Sequence, residues 1–541
     1  MIKPSNYICL PIIMFFLSCQ PNQMILYKNC NIYNNPNINA ILCQGGKIIK
    51  LFSLDYQAPI PNIKQEIDLE GGWVYPGFID SHMHLRGLGW SLESVDMVGT
   101  LSKDLALEKV RDAVKNTPEG TWVRGRGWDQ NDWKEHDYPS AKDLDAISET
   151  HPMVFRRIDG HAAWANSLAI KLAGISKETE NVDGGFILRD DHGEPTGIFI
   201  DNALDLIESK IPEPDSNDIK RQIKLAQTLL NRLGVTAVHD AGTSMNEISI
   251  LKEMIVNNEL TIRVYAMLNN DPIDYEPFLV SGPETDNPFL QVRAIKIFMD
   301  GSLGSRGAAL LEPYTDDLEN SGLLLLPLRE HEILVKRFSQ AGFQTNTHGI
   351  GDRAVRRILD SYEKNADPSL RNRIEHAQIV HPLDIPRFQN LNVIPAMQAT
   401  HCTSDMYWAD ERLGEERLIE AYPWRSLIES GVPVPGGSDA PVEFPDPLEG
   451  IYAATTRKDK NEWPENGWQP KEKMTLDMAI KSYTEWPSYA SFEEGIKGKI
   501  VEGFYADFTV LDQPLTEHNI KMVLETSVTF TIINGKVVFK K

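Results

Sequence analysis

The chain has 541 residues, a formal net charge of −23, and 41% hydrophobic against 24% charged residues. That balance belongs to a folded globular protein with room for a large core, and its 37 glycines and 33 prolines are dispersed rather than gathered in low-complexity tracts. The acidic surplus, with no cluster of Lys and Arg to offset it, argues against nucleic acid and anionic lipid surfaces as partners.

Lys3 precedes a mostly apolar run over residues 8–17, which leads into Phe16-Leu17-Ser18-Cys19. This is the pattern of an export signal over residues 1–19 and is too short for a spanning helix. It resembles a bacterial lipoprotein signal with Cys19 as the lipid-bearing residue, although Phe16 departs from the usual small aliphatic residue. The expected location is the periplasmic side of a bacterial cell envelope, with membrane contact only through the lipid. After loss of Cys9 with the signal, Cys30, Cys43 and Cys402 are too few and too scattered for a disulfide framework or a structural zinc site. A single Cys30–Cys43 bridge is left open.

Residues 24–73 read as short alternating strands broken by turns, among them 47–51 after Gly45-Gly46. The far end repeats that style at 506–511, 528–533 and 536–539, with Asn534-Gly535 as a hairpin turn signal. Residues 20–73 and 496–541 are therefore expected to form one composite β-domain. Between them, apolar β-rich runs alternate with helical patterns, the mark of repeated βα units and a parallel sheet. Eight strands are expected, at 74–79, 235–239, 262–268, 294–299, 344–347, 373–375, 393–397 and 434–437. Eight such units suggest a barrel, here over residues 74–495, with functional residues where strands end. The gap after the first strand is too long for one connection and predicts an inserted subdomain at about residues 86–219.

His82 and His84 stand two apart at the end of the first strand, so both imidazoles project to one side and can share a metal. Alone, His-x-His is a weak pattern. His348, His376 and Asp439 fall at later strand ends, each unremarkable alone, and their placement at one end of successive strands makes a nitrogen and oxygen set suited to zinc or a related divalent ion. Lys296 lies inside an apolar strand, where an unpaired ammonium is costly. An ion pair with Asp300 or Glu375 is its simplest compensation. His239 also ends a strand and reads as structural or supporting, while Gln398 and His401 near the seventh strand are left undecided.

These residues together resemble the amidohydrolase superfamily, and within it the YtcJ-like group of the amidohydrolase 3 family. The likeness rests on residues 76–84, 159–166, 234–238, 296–306 and 348–353, on Glu375-His376 and on Ser438-Asp439. It implies a distorted (β/α)8 barrel of TIM type with a β-sandwich built from both chain ends, and two divalent metals at the barrel mouth, zinc first, with Mn2+ or Fe2+ as substitutes. By position, His82, His84 and Asp439 would hold one ion and His348 and His376 the other, bridged by Lys296 carboxylated on its amine. A metal-activated hydroxide would attack the substrate carbonyl, with Asp439 as general base and then acid to the leaving nitrogen. The expected substrate is a small amide-type molecule whose carbon-nitrogen bond is not an ordinary peptide bond. Asp129, His161, Trp164 and Arg306 are the expected substrate contacts, the first three from two polar, aromatic-rich stretches of the insert. The assembly is compatible with a homodimer. Ester or phosphoester cleavage by the same site, and a catalytically silent ligand-binding lipoprotein, are the competing readings.

Overall fold

The computed structural model describes residues 23–54, 62–134, 136–158, 160–182 and 184–541; the expected signal and Cys19 lie outside them. Seven parallel strands make the central sheet: Phe78–Met83, Val235–Thr243, Arg263–Leu268, Leu290–Phe298, Gln344–Gly349, Arg373–His376 and Ile394–Ala396, each paired with the next. The expected eighth strand is reduced to a single parallel bridge between Met397 and Gly436. It nevertheless joins the two edges. Met397 N–H donates to Pro435 O at 3.0 Å on one side, and on the other Ser81 N–H donates to Gly436 O at 3.0 Å. Pro433 and Pro435 have no N–H to give a ladder, which limits regular pairing in this segment.

Phe78–Met83 and Arg263–Leu268 are buried along their whole length, as strands with both faces covered must be. Helices supply the outer layer. Ser216–Arg232 buries Ile219, Ile223, Ala226 and Leu230, a stripe at helical spacing, and starts with a capping box in which Asp215 accepts from Asn217 and Asp218 N–H. Asp352–Asn365 buries a similar stripe, Val355, Ile358, Leu359 and Tyr362.

Residues 74–79 are expected as one barrel strand, but the chain changes sheets at Gly77. Trp73–Pro76 pairs antiparallel with Phe508–Leu511, while Phe78 opens the barrel strand. A Cβ at Gly77 would lie 2.3 Å from Thr236 Oγ1, so only glycine permits this crossing. Two small sheets flank the barrel at this end. One holds Met24–Lys28, Ile38–Gln44, Lys47–Ser53 and Ile63–Asp68; the other joins Asn31–Ile32 and Trp73–Pro76 to Phe508–Leu511, Val528–Ile533 and Lys536–Lys540. Tyr27, Ile41, Ile48, Val74, Phe508 and Phe530 share one core between them. Asn534 and Gly535 both take positive φ, 54° and 66°, the backbone their hairpin requires. Arg263 reaches from the barrel to Asp507 through two bonds of 2.6 and 2.9 Å, a buried pair that ties the layers. Cys30, Cys43 and Cys402 are free thiols, so the Cys30–Cys43 bridge is not formed.

Residues 86–219, expected as an insert, contain a sheet separate from the barrel. This six-stranded sheet runs, in spatial order, Gly185–Arg189, Pro195–Asp201, Ala162–Ala165, Met153–Arg157, Val123–Trp128 and Val95–Asp96. Helices Leu85–Glu93 and Ser216–Arg232, which border it, pack Leu85, Leu88, Ile219 and Ile223 into the barrel's own core. Gly89 lets them touch, since a Cβ there would lie 2.0 Å from Gln222 O.

Candidate functional site

Strand ends deliver the polar residues to one mouth. His82 is the fifth residue of Phe78–Met83 and His84 stands just beyond, still extended at φ −114°. Both Nε2 atoms address the same oxygen: Asp439 Oδ1 lies 3.5 Å from His82 and 3.2 Å from His84. His376, at the end of Arg373–His376, has its ring centroid 4.8 Å from that of His82 and 4.5 Å from that of His348. His376 and Asp439 hold left-handed backbone, φ 72° and 57°, a strain of about 1 kcal/mol or more each that only over-determined surroundings maintain. For Asp439 those surroundings include its own N–H, which donates to His82 O at 2.7 Å.

Hydrogen bonds behind the rings decide which nitrogen faces inward. His82 Nδ1 is bonded to Glu375 Oε2, whose carboxylate is in turn held by Arg373 at 2.7 and 2.8 Å. His84 Nδ1–H donates to Ala241 O at 2.7 Å and His376 Nδ1–H to Gln398 Oε1 at 2.8 Å. All three leave an Nε2 lone pair for a metal. Burial opposes ionisation of Glu375, yet Arg373 and His82 outweigh it and pull its pKa down to about 2. Burial holds His348, near 3, and His376 neutral, as ligands must be. Burial would raise Asp439 too, but His84 and the neighbouring imidazoles keep it well below the carboxylate range.

Two groups have ligand atoms close enough to share an ion: His82, His84 and Asp439, and His376, His401 and Asp439. Asp439 belongs to both. His401 was left undecided by sequence because it stands five residues past the seventh strand, on helix Ala399–Asp405. Its Nδ1 accepts from Gln378 Nε2 at 3.2 Å, which puts its proton on Nε2, 3.9 Å from Asp439 Oδ2. That tautomer suits a hydrogen-bond donor better than a ligand. His348, expected as a ligand, is outside both groups; its Nε2 lies 3.5 Å from Asp300 Oδ1. Lys296 is buried at the same mouth and, among the described residues, pairs with neither Asp300 nor Glu375; its Nζ lies 4.1 Å from the centre of the Phe298 ring. Asp300 is occupied by the N–H groups of Ala309, Ile350 and Gly351, at 2.8 to 3.0 Å, and burial raises its pKa to about 7. His239 is buried and accepts from Arg373 at 2.9 Å, a supporting position.

Asp80 and Arg373 were missed as site supports. Asp80 accepts from Ser438 Oγ at 2.6 Å and from Ser438 and His82 N–H at 3.1 Å, locking the first and last barrel segments together. Arg373, fully buried in a strand, carried the same signal as Lys296: a charge where burial forbids an unpaired one.

A cleft of about 980 Å3 opens from His84 between helix Leu85–Glu93 and the insert sheet. None of the four expected substrate contacts lines it. Trp164 is 0% exposed, packed among Trp128, Trp133 and Phe155, and donates to Ser140 O. Asp129 accepts from Arg157 at 2.6 Å, His161 is exposed beside Asp201, and Arg306 is bound by Asp316.

Residues 65–539 match the model of the amidohydrolase family. The putative amidohydrolase YtcJ of Bacillus subtilis is 33% identical over 88% of this chain and 91% of its own. The N-substituted formamide deformylase of Arthrobacter pascens is 27% identical over 95% and 97%. The crystal structure of an uncharacterized metal-dependent hydrolase from Pyrococcus furiosus superposes with a TM-score of 0.75 at 28% identity, covering 91% of this chain and 99% of that one. A barrel whose strand ends gather imidazoles around one carboxylate, matched over nearly its whole length, places this chain in the amidohydrolase family.

Proposed function

We propose that this protein is a metal-dependent hydrolase of small amide-type molecules, cleaving carbon-nitrogen bonds other than ordinary peptide bonds. The observation that carries the reading is Asp439, buried and ionised, facing His82, His84 and His401 at once. The donor set fits divalent ions: several imidazoles, one shared carboxylate, no thiolate, and His82 Nε2 and His348 Nε2 buried without a hydrogen-bond partner among the described residues. His82, His84 and Asp439 would hold one ion, and His348 and His376 the other. Lys296, having no carboxylate partner, would take up CO2 on Nζ with loss of a proton and so become an anionic oxygen ligand for both. Such ions supply acidity to a coordinated water and polarise a carbonyl.

The chain's own groups handle the proton. Asp439 accepts it from the water as that oxygen bonds to the substrate carbonyl carbon. It returns it to nitrogen as the carbon-nitrogen bond breaks, so one carboxylate serves both half-steps. His401 Nε2–H faces Asp439 Oδ2 across 3.9 Å, too far for a direct hydrogen bond, and adds positive potential on that side of the carboxylate. Glu375 and Arg373 keep His82 turned inward. The formamide substrate in the Arthrobacter relative's name is consistent with an amide bond, as is the family's.

Metal analysis of the purified full chain should find about two ions per molecule. A screen of N-formyl, N-acyl and cyclic amides against esters and phosphoesters then reads the bond. Folded protein that binds no divalent ion, or turnover confined to esters, overturns the proposal. We also propose export with a lipid on Cys19, supported by the apolar run ahead of it; among the described residues, no helix is long and apolar enough to cross a membrane. Cys19→Ser should move the protein from membrane to soluble fractions, and unchanged fractionation refutes the anchor.

A further inference from the structure

The cleft beside His84 runs against the charge of the whole molecule. In a chain of net charge −23, its walls carry Arg86, Arg124, Arg126, Arg156 and Arg157. Arg124 and Arg126 are two apart on strand Val123–Trp128 and so face the same side of the insert sheet; Arg156 is the register partner of Arg126 on the next strand. The opposite wall is helix Leu85–Glu93, which offers Arg86 and, one turn on, Trp90.

Three of these arginines are already neutralised. Arg156 is held by Glu208 in a two-pronged pair, Arg86 approaches Glu247 at 3.4 Å, and Arg157 binds Asp129 at 2.6 Å. Arg124 and Arg126 are different: among the described residues, neither guanidinium has a carboxylate partner. Arg124 lies 5.6 Å from the ring centre of Trp90. The nearby acids are otherwise engaged. Glu93 binds Arg221 at 2.5 Å, and Asp96, the cross-strand neighbour of Arg126, accepts from Val98 N–H at 3.0 Å. Asp240, at the floor, accepts from Leu85 N–H at 2.8 Å, and Glu213 is exposed at the rim. Arg124 is half-buried and Arg126 exposed; guanidinium groups without carboxylate partners, in a cleft that focuses their field, bind carboxylates in two-pronged fashion.

We propose that the cleft selects amide substrates that carry a carboxylate, received by Arg124 and Arg126 while the amide lies at His84 and Asp439. This rests on the amide-hydrolase reading above and adds the substrate class to it. The insert thereby serves as the specificity wall of a site whose chemistry belongs to the barrel.

The test is a calorimetric titration of metal-loaded full-length protein with N-acetyl amino acids and their C-terminal carboxamides, matched in pairs, alongside turnover of the same compounds. The carboxylate members should bind about tenfold tighter or more, with the advantage shrinking as NaCl rises. Arg124→Gln with Arg126→Gln should erase it, and Arg124→Lys should keep part of it. Both positions are on the cleft side of the sheet, outside the insert core, so the variants should fold. Equal binding within pairs, a preference that survives the double substitution, or no binding by any member overturns the inference. Selective binding without hydrolysis overturns the amide-hydrolase reading and leaves the anion cleft standing; hydrolysis without selectivity does the reverse.

Discussion

The barrel mouth and the insert wall present polar side chains in opposite ways. At the mouth three rings have their outer nitrogen held from behind, His82 by Glu375, His84 by Ala241 O and His376 by Gln398, and Glu375 is held in turn by Arg373. On the insert wall, Arg124 and Arg126 stand on a sheet face with no such backing. A metal site requires fixed geometry, because ligand atoms displaced by a fraction of an ångström lose coordination, whereas recognition of a carboxylate tolerates a long side chain that adjusts. Substitutions at the mouth should therefore cost far more than substitutions on the wall.

The largest effect is expected for Asp439→Asn. It keeps the shape, removes the base and the shared ligand, and should lower kcat by at least about 10³-fold with the fold intact; near-normal turnover would remove Asp439 from the mechanism. Next comes Glu375→Gln. By releasing His82 Nδ1 and weakening the hold on a buried Arg373, it should weaken metal affinity by about 10- to 100-fold, read by chelator competition. Unaltered affinity would mean that His82 needs no support. Breaking the buried Arg263–Asp507 pair with Asp507→Asn should cost about 3–5 kcal/mol of stability and leave metal content unchanged, as read by denaturant unfolding. Trp164→Ala should also destabilise, by about 3–5 kcal/mol, through the insert core. If it instead raised KM with stability intact, the substrate role expected from sequence would return. The smallest effect is expected for Arg306→Gln, whose partner Asp316 is also bound by Arg412; kcat/KM should stay within about twofold, since exposed pairs contribute little.

Legibility differed in the same way between the two regions. Some barrel strands announced themselves as apolar, β-rich runs, while Gln344–Gly349 is polar along its length, and the rule that functional residues follow strand ends brought His82, His84, His348, His376 and Asp439 forward together. The rule weakened where the chain left the strand before turning inward, as at His401, carried on a helix past the seventh strand. In the insert it gives no guidance. Trp164 and Asp129 sit in stretches rich in polar and aromatic residues, and nothing local says which face of a strand looks to the cleft and which to the subdomain core. Arg124 and Arg126 were in view within the same stretch, but only the register of Val123–Trp128 against Met153–Arg157 shows that they share the cleft-facing side.

By itself, then, the sequence determined the barrel, the pairing of its two ends and the chemical character of the mouth. These follow from periodicity and from residue types whose burial demands a partner. Tertiary structure decided what depends on distance between remote segments: the crossing at Gly77, the reduced eighth strand, the sharing of Asp439 between two groups, and the cleft wall. Those outcomes depend on backbones meeting to within a few tenths of an ångström and on hydrogen bonds between residues hundreds of positions apart, and such contacts leave no mark on local composition.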